Sequence, residues 1–223
     1  MIRFFDISIS LLALILLSPL LLIISFILSM TGEREVIYLQ KRIGKDYKHF
    51  LIIKFATMKK NSPLIGSKTI TLENDSRILP LGDFLRKTKI NELLQFLNVL
   101  KGDMSLIGPR PLTKEIFNIY PKKISKIIST VKPGISGLGS LIFKNEYLLL
   151  KKNKNFKKIY IEEISKYKGV VEKYYVQNFT PFSYLKILIL TLIILLTNKP
   201  KLVYKFFPGL PRPTLKIKKQ LNL

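Results

Sequence analysis

The sequence predicts a mostly α-helical, membrane-associated fold with one small β-hairpin. The chain has 223 residues, 48% of them hydrophobic, and its mean hydropathy is +0.23. It nevertheless carries 38 Lys and Arg residues against 14 Asp and Glu, which gives a formal net charge of +24. Apolar and charged residues must therefore be segregated along the chain, since this balance is unusual for an ordinary soluble globule.

The composition excludes several classes of protein. The hydrophobic content is too high for a disordered chain. The chain has no cysteine, so it has neither a disulfide scaffold nor a cysteine-ligated metal site. His49 is the only histidine, which leaves almost no material for a histidine-rich metal site or a Ser-His-Asp triad. The basic balance favours an anionic partner: nucleic acid, anionic lipid or a phosphorylated substrate.

The uncharged run Ile7–Met30 is predicted to be a membrane helix. As a straight helix it would be roughly 36 Å long, enough for a hydrocarbon core of about 30 Å. A cleaved signal peptide fits poorly, because the run is too long and Asp6 lies in the supposed basic leader. Pro19, which follows Ser18, kinks or breaks a helix. Two topologies stay open: a kinked helix that spans the bilayer, and a re-entrant helix whose ends return to one face.

A hairpin is predicted after this helix. β-branched and aromatic residues at 36–39 and 50–53 flank a short polar turn, which is the pattern of a β-hairpin. His49 borders the second run, where a lone histidine is most often structural or solvated. Residues 62–76 are polar and contain Pro and Gly, so they are predicted to form a loop.

The central third is predicted to be helical. An apolar stripe at helical spacing predicts one helix over Leu85–Leu100, with Thr88 as its N-cap and Gly102 after its end. Further along, Gly137 and Gly139 indicate a tight loop.

The chain after Glu172 has no acidic residue. Within it, Phe179–Thr197 is apolar, with Lys186 as its one charged residue, and its aliphatic core is short for a membrane span. This segment is predicted either to lie in the membrane interface or to pack in a core. The basic and aromatic residues that follow suit an anionic membrane surface, and the alternative is a solvated basic tail.

Charged residues in the central third predict a phosphate-handling site. Asn91 and Glu92 fall in the first turn of the predicted helix, where free N–H groups and the helix dipole favour phosphate. Arg110 lies between two prolines that fix its backbone, which suits bidentate phosphate binding. Glu92, beside phosphates, would be able to hold Mg²⁺. The alternative is that Glu92 stabilises the helix start and Arg110 forms a structural ion pair.

Five stretches of the chain form a specific pattern. They are residues 54–58 (KFATM), 75–78 (DSRI), 84–95 (FLRKTKINELLQ), 98–111 (NVLKGDMSLIGPRP) and 132–137 (KPGISG). Together they resemble the bacterial sugar transferases, the monotopic phosphoglycosyl transferases that begin glycan assembly on polyprenyl phosphate. The resemblance runs from about Arg3 to Thr197, and the stretch from KGDMS to PRP is its most specific part.

The resemblance implies a location and a division of the chain. A re-entrant helix broken at Ser18-Pro19 would hold the protein on the cytoplasmic face of the bacterial inner membrane. The implied parts are a re-entrant membrane helix over residues 1–32, a sugar transferase domain over 33–178, and an apolar interfacial helix with a basic tail over 179–223.

The resemblance also implies a reaction. A sugar-1-phosphate would pass from a UDP-sugar to undecaprenyl phosphate, with release of UMP, to start exopolysaccharide, lipopolysaccharide or other glycoconjugate synthesis. The implied partners are the nucleotide sugar, the polyprenyl phosphate and the membrane. No nucleic-acid partner is expected, because the long apolar run has no use in such a protein and no nucleic-acid motif occurs. Self-association is left open.

The family's catalytic machinery is an Asp-Glu dyad with Mg²⁺, in which the Asp forms a covalent phosphosugar intermediate. The resemblance matches Glu92 to the second member of the dyad and to the metal. Arg110, Lys54, Arg77 and Arg86 are the residues expected to contact substrate phosphates. Asn91 stands where the family has the nucleophilic Asp.

Asn91 alters what the resemblance implies, because a neutral amide is a very poor nucleophile towards phosphorus. Ala56 and Leu94 also depart from the family pattern, where an Arg and a Pro are expected. Three explanations are open: a catalytically silent relative that binds nucleotide sugar or pathway partners, a branch that uses direct attack by the lipid phosphate, and an engineered substitution at residue 91.

Overall fold

The computed structural model describes residues 1–62, 75–144, 158, 160–214 and 217–218. These residues form two compact units, one from residues 1–42 and 50–103 and the other from residues 43–49 and 104–223. The loop predicted over residues 62–76 lies almost entirely outside the described residues. The boundaries predicted after residues 32 and 178 separate the expected membrane-associated segments from the rest of the chain, and these boundaries stay predictions.

The first unit contains a long N-terminal helix, most of a hairpin and two short helices. They are α1 (Ile2–Met30), β1 (Ile37–Ile43), β2 (His49–Phe55), α2 (Pro80–Lys87) and α3 (Gln95–Lys101). The antiparallel pairing of β1 with β2 confirms the predicted hairpin. Both strands are longer than the apolar runs that predicted them, because residues 40–43 continue β1 and the turn falls at residues 44–48.

α1 is continuous through Pro19 and apolar along most of its length. Within the described part of the chain it is the one helix long and apolar enough to cross a membrane, with a mean hydropathy of 3.0 over 18 residues. Most of its apolar side chains are exposed, which supports membrane association.

Both ends of α1 contact the rest of the first unit. The Arg3 guanidinium donates hydrogen bonds to the carbonyls of Val99 and Leu100, at 2.5 Å and 2.9 Å. Near the other end, Ile24 and Leu28 lie in the main hydrophobic cluster of this unit. The remaining buried members of that cluster are Ile53, Phe55, Leu85 and Leu94.

The single helix predicted over Leu85–Leu100 is wrong. α2 ends at Lys87, Lys89 adopts a left-handed backbone conformation with φ of 62°, and a 3-10 turn over Ile90–Glu92 precedes α3. Thr88 is not an N-cap, because its hydroxyl donates to carbonyls in the last turn of α2. Apolar residues nevertheless continue on both sides of the break, because α2 and α3 each bury side chains in the first unit.

Among its described residues the second unit combines a short parallel strand pair with six α-helices, a 3-10 turn (Lys45–Tyr47) and a π-helical turn. They are β3 (Ser105–Ile107), α4 (Lys114–Ile119), α5 (Lys122–Ile128), β4 (Gly134–Ser136), α6 (Leu138–Ile142), a π-helical turn (Tyr160–Ile164), α7 (Ser165–Gln177), α8 (Pro181–Thr197) and α9 (Leu202–Phe206). β3 and β4 pair in parallel, with Ser105 opposite Gly134. The tight loop predicted at Gly137 and Gly139 is wrong, because α6 begins directly after Gly137 and contains Gly139.

α8 has two apolar faces. One face is buried, and its residues are Tyr184, Ile187, Leu190 and Ile194. The other face is exposed, and its large side chains are Phe182, Leu185, Ile189, Leu192, Leu195 and Leu196. The helix thus packs in a core on one side, as one of the two alternatives predicted, and presents a hydrophobic surface on the other; its position in a membrane interface stays a prediction.

The segment after α8 is not a solvated tail over residues 203–210. Val203, Phe207 and Leu210 are buried within the second unit. Lys201 and Lys205 are exposed, so the basic charges lie on the surface of a packed segment.

Candidate functional site

An ion pair between Lys54 and Glu92 is the centre of the candidate site in the first unit. Lys54 lies on β2, and Glu92 ends the 3-10 turn before α3. Lys54 Nζ lies 2.7 Å from Glu92 Oε1, and the two side chains are 14% and 16% exposed. A charge-assisted hydrogen bond is stronger at such partly buried positions than in water, because the local dielectric is lower. The pair therefore fixes a carboxylate and an ammonium group together where a substrate can still reach them.

Asn91 precedes Glu92 in the same turn and is buried. Its Oδ1 has no hydrogen-bond partner among the described residues. A buried carbonyl oxygen left unpaired costs about 1–3 kcal/mol. Such an oxygen is suited to accept a donor or to ligate a cation.

The phosphate site predicted at a helix N-terminus has a different geometry. Asn91 and Glu92 lie in the 3-10 turn, and α3 begins only at Gln95. The left-handed backbone at Lys89 turns the chain out of α2, so that these two residues are not in the first turn of an α-helix. Side chains, rather than a row of helical N–H groups, are therefore the groups that this segment offers.

The Arg77 guanidinium is hydrogen-bonded to neighbouring residues. Its Nε and Nη2 donate to the two carboxylate oxygens of Asp75, at 2.8 Å and 2.5 Å, and Nη1 donates to the Ser62 carbonyl at 2.8 Å. The hydrogen bond to Asp75 raises the pKa of the Arg77 guanidinium. These contacts give Arg77 a structural role, and its assignment to substrate phosphate stays a prediction.

Arg86 lies on α2 and reaches the end of β2. Its Nη1 donates to Thr57 Oγ1 at 3.3 Å. α2 approaches this segment closely, since an ideal Cβ on Gly82 would lie 2.2 Å from the Thr57 carbonyl oxygen. Arg86 is thus hydrogen-bonded to Thr57, which lies three residues after Lys54, and the structure brings these two predicted cations to the same end of β2.

Arg110 belongs to the second unit, in the segment that follows β3. The Gly108 N–H donates to the Ser136 carbonyl, and the Gly134 N–H donates to the Pro109 carbonyl, each at 2.9 Å. An ideal Cβ on Gly134 would lie 2.0 Å from the Gly108 nitrogen, so only glycine permits this approach of the two backbones. The Pro-Arg-Pro segment is non-helical, as predicted, and it is pinned by the parallel strand pair.

Glu172 also contacts the Arg110 segment, and the sequence does not single it out as a site residue. Its Oε1 accepts a hydrogen bond from the Arg110 N–H at 3.2 Å. Burial raises the pKa of Glu172 to about 7, although the hydrogen bond from Arg110 and the charge of Lys168 act in the opposite direction. Its one signal in the sequence is that it is the last acid before an acid-free tail.

The described residues fit part of a magnesium site. They contain no group of three or more His, Cys, Asp or Glu side chains that would hold a metal ion. Mg²⁺ is commonly bound by one or two protein carboxylates and completes its shell with water and substrate phosphates. The Glu92 carboxylate and the unpaired Asn91 Oδ1 are oxygen ligands of this kind. This donor set fits an ion held jointly by the protein and a phosphorylated substrate.

Residues 1–198 match the family model described as bacterial sugar transferase. The chain is similar to the UDP-N-acetylgalactosamine-undecaprenyl-phosphate N-acetylgalactosaminephosphotransferase of Aeromonas hydrophila, with 38% identity over 142 residues, which are 63% of this chain and 33% of the relative. It is similar to the exopolysaccharide production protein ExoY of Sinorhizobium fredii, with 31% identity over 158 residues, 65% of this chain and 70% of the relative. It is also similar to the UDP-glucose:undecaprenyl-phosphate glucose-1-phosphate transferase of Klebsiella pneumoniae, with 40% identity over 143 residues, 62% of this chain and 30% of the relative.

The matched segment covers about a third of the Aeromonas and Klebsiella relatives and most of the Sinorhizobium relative. The family model, in contrast, covers nearly the whole of this chain and includes both units of the structure. The chain therefore belongs to the bacterial sugar transferase family.

Proposed function

We propose that this protein transfers a sugar-1-phosphate from a UDP-sugar to undecaprenyl phosphate and so initiates the synthesis of a surface polysaccharide or glycoconjugate. Two of the relatives described above are named for transfer between these two kinds of substrate. The observation in this chain that carries the proposal is the partly buried Lys54–Glu92 pair, with Arg86 held at the same end of β2.

Both substrates are anionic, so the reaction needs cations. An oxygen of the lipid phosphate forms a bond to the β-phosphorus of the donor, the bond from that phosphorus to the bridging oxygen breaks, and UMP leaves with the bridging oxygen. Lys54 and Arg86 would bind and orient phosphates in the first unit, and Arg110 is proposed as a phosphate ligand in the second; fixed charges of this kind stabilise a transition state without reorganising solvent. When bound at Glu92 and Asn91 Oδ1, Mg²⁺ would supply further neutralisation of the phosphate charge.

Asn91 favours direct transfer over a two-step route. The amide has neither the charge nor the nucleophilicity of a carboxylate, so it forms no phosphosugar intermediate. Both substrates must then be bound together, which requires sequential kinetics. Glu92, held by Lys54, would organise the phosphates rather than attack them.

A second candidate function is a catalytically silent relative that binds nucleotide sugar or acts as a partner in the same pathway. Asn91 favours it, because the family's covalent route needs an Asp at this position. Ala56 and Leu94 do not decide between the two candidates, since both are buried and Leu94 packs in the hydrophobic cluster with residues of α1.

For α1 we propose a re-entrant topology, with both ends on the cytoplasmic face of the inner membrane. A straight helix would separate Arg3 from Leu28 by about 38 Å. Arg3 nevertheless contacts the end of α3, and Leu28 shares a cluster with Leu94, just before α3 begins. These contacts support a bend, and Pro19 is the residue in α1 most suited to it. The exposed apolar face of α8, near Lys199 and Lys201, supports a second contact with anionic lipid.

A UMP-release assay tests the function. The protein in nanodiscs is given undecaprenyl phosphate, Mg²⁺ and each of a panel of UDP-sugars. Release that depends on both the lipid phosphate and one donor supports the transferase. Binding of a UDP-sugar without UMP release from any donor in the panel would instead support the silent relative.

A further inference from the structure

The backbone N–H of Arg110 needs a hydrogen-bond acceptor. Pro109 and Pro111 have no N–H, so Arg110 carries the one amide donor of this tripeptide. The hydrogen bonds that join this segment to β4 are made earlier in the chain, by the Gly108 N–H and the Pro109 carbonyl. A shielded amide donor needs an acceptor, and here the acceptor comes from outside the sheet.

That acceptor is Glu172 of α7, whose Oε1 accepts from the Arg110 N–H at 3.2 Å. The side chain is only 4% exposed. Its other oxygen, Oε2, is buried and has no hydrogen-bond partner in the described part of the chain. Burying a carboxyl group with one oxygen unpaired is costly, so stability alone does not account for Glu172 at this position.

The surroundings of Glu172 are shaped to hold its carboxyl group. An ideal Cβ on Gly139 of α6 would lie 2.4 Å from Glu172 Oε1, so the glycine leaves room for the oxygen. Tyr175, one turn further along α7, donates its hydroxyl to the Ile107 carbonyl at 3.3 Å. α7 therefore holds the end of β3 and the segment that follows it at two points, Ile107 and Arg110.

We propose that Glu172 is a positioning residue, which fixes the backbone of Arg110 and thereby aims its guanidinium at a phosphate of the substrate. The proposal rests on the proposed function, in which Arg110 contacts phosphate. The two prolines restrict the backbone on either side, and the hydrogen bond from Glu172 fixes the remaining amide between them. Such precision matters because misplacing a binding group by about 1 Å can cost roughly 100-fold in rate.

Glu172 can act in either protonation state. The charged groups that face it are Lys168, one turn earlier on α7, and Arg110. Lys168 Nζ also lies 5.0 Å from the centre of the Phe143 ring, between α7 and the end of α6. Both forms of the carboxyl group keep an oxygen that accepts from the Arg110 N–H, so the contact persists across neutral pH.

Amide hydrogen exchange tests the contact without any assay of activity. In the full chain in nanodiscs, Glu172→Ala should speed exchange at the Arg110 amide by about tenfold, the loss of one hydrogen bond. Gly139→Ala should do the same by displacing the carboxylate, with α6 intact. Glu172→Gln keeps an acceptor oxygen and should stay close to wild type. Unchanged exchange in both Glu172→Ala and Gly139→Ala, with folding checked by thermal unfolding, would overturn the proposal.

A double-mutant cycle tests whether the contact acts through Arg110. Binding of UDP to the same nanodisc samples is measured by calorimetry, together with kcat and KM for UMP release. Glu172→Ala should weaken UDP binding and raise the donor KM by about tenfold, Glu172→Gln should restore both, and in an Arg110→Ala background Glu172→Ala should add little. If the fold-losses of the two single variants multiply in the double variant, the two residues act independently, and this result would refute the positioning role of Glu172. If no form releases UMP, the proposed transferase fails, while UDP binding and amide exchange still decide the role of Glu172.

Discussion

The side-chain amide oxygen of Asn98 accepts a hydrogen bond from the Ile53 N–H at 2.9 Å, as the backbone of a third strand would. The same side chain donates from Nδ2 to the Leu51 carbonyl at 2.7 Å. One fully buried residue of α3 thus satisfies both groups at this edge of β2. Because Lys54 follows Ile53 directly, Asn98 also holds the ion pair of the candidate site in place.

Asn98→Ala should lower the free energy of unfolding by about 2–4 kcal/mol, because two backbone groups of β2 lose their partner. Asn118→Ala, at an exposed position on α4, is the matched control and should change stability by less than about 0.5 kcal/mol. Denaturant unfolding in detergent measures both. Equal stabilities of the two variants would contradict the bridging role of Asn98.

Glu92→Gln should reduce UMP release by at least about 100-fold, because it removes the charge that holds Lys54 and the carboxylate proposed for Mg²⁺. The control is Glu35→Gln, which breaks an exposed ion pair with Lys60 in the same unit. Exposed pairs contribute about 0–1 kcal/mol, so this control should keep its activity within about twofold. A Glu92→Gln variant that turns over at the wild-type rate would remove Glu92 from the site.

Asn91→Asp should raise or create UMP release, because it restores a carboxylate where the family has its nucleophile. The wild-type chain should show sequential kinetics and no covalent phosphosugar adduct, whereas the variant should gain a radiolabelled adduct at residue 91. If the variant stays at the wild-type rate while the wild type turns over rapidly, this branch uses chemistry of its own. An adduct on another carboxylate of the wild-type chain, such as Asp103, would defeat the sequential route.

Glu172 should make the stability of the protein fall as the pH rises. Its pKa lies above the ordinary carboxyl value in the folded chain, so the folded state binds more protons than the unfolded state between pH 4.5 and about 7. The stabilisation is complete below pH 4.5 and is lost as the pH rises through 7. Denaturant unfolding at pH 5 and pH 8 measures most of it, and Glu172→Gln should remove about 2.5 kcal/mol of the difference between the free energies of unfolding at these two pH values. The same pH dependence in both proteins would contradict the buried carboxyl.

The re-entrant topology predicts that the start of the chain and its main body face the cytoplasm. Because the chain has no cysteine, single cysteines at Ile2 and Lys114 report on each side separately. In intact cells, neither position should react with a membrane-impermeant thiol reagent, and both should react after the membrane is opened. Labelling of the Ile2 position alone in intact cells would show that α1 spans the membrane.

Local patterns predicted the hairpin and the apolar helices, because β-branched residues around a short polar turn and a continuous uncharged run are properties of neighbouring residues. The break at Lys89 escaped prediction, since the apolar stripe continues on both sides of it. The pairing of β3 with β4 also escaped, because three-residue strands show no period and their register depends on Gly134 lying against Gly108. Glu172 stayed hidden for a similar reason: its role depends on an amide 62 positions earlier in the chain.

The hydrophobic cluster of the first unit has a consequence for how the protein is made. Ile24 and Leu28 belong to the membrane helix, yet they pack in one core with Phe55 and Leu85. α1 and the rest of the first unit are therefore not separable modules, and cutting the chain after Met30 would expose the side chains that α1 covers. We therefore expect this core to be complete only when α1 is present, so that the apolar N-terminal helix is part of the folding unit.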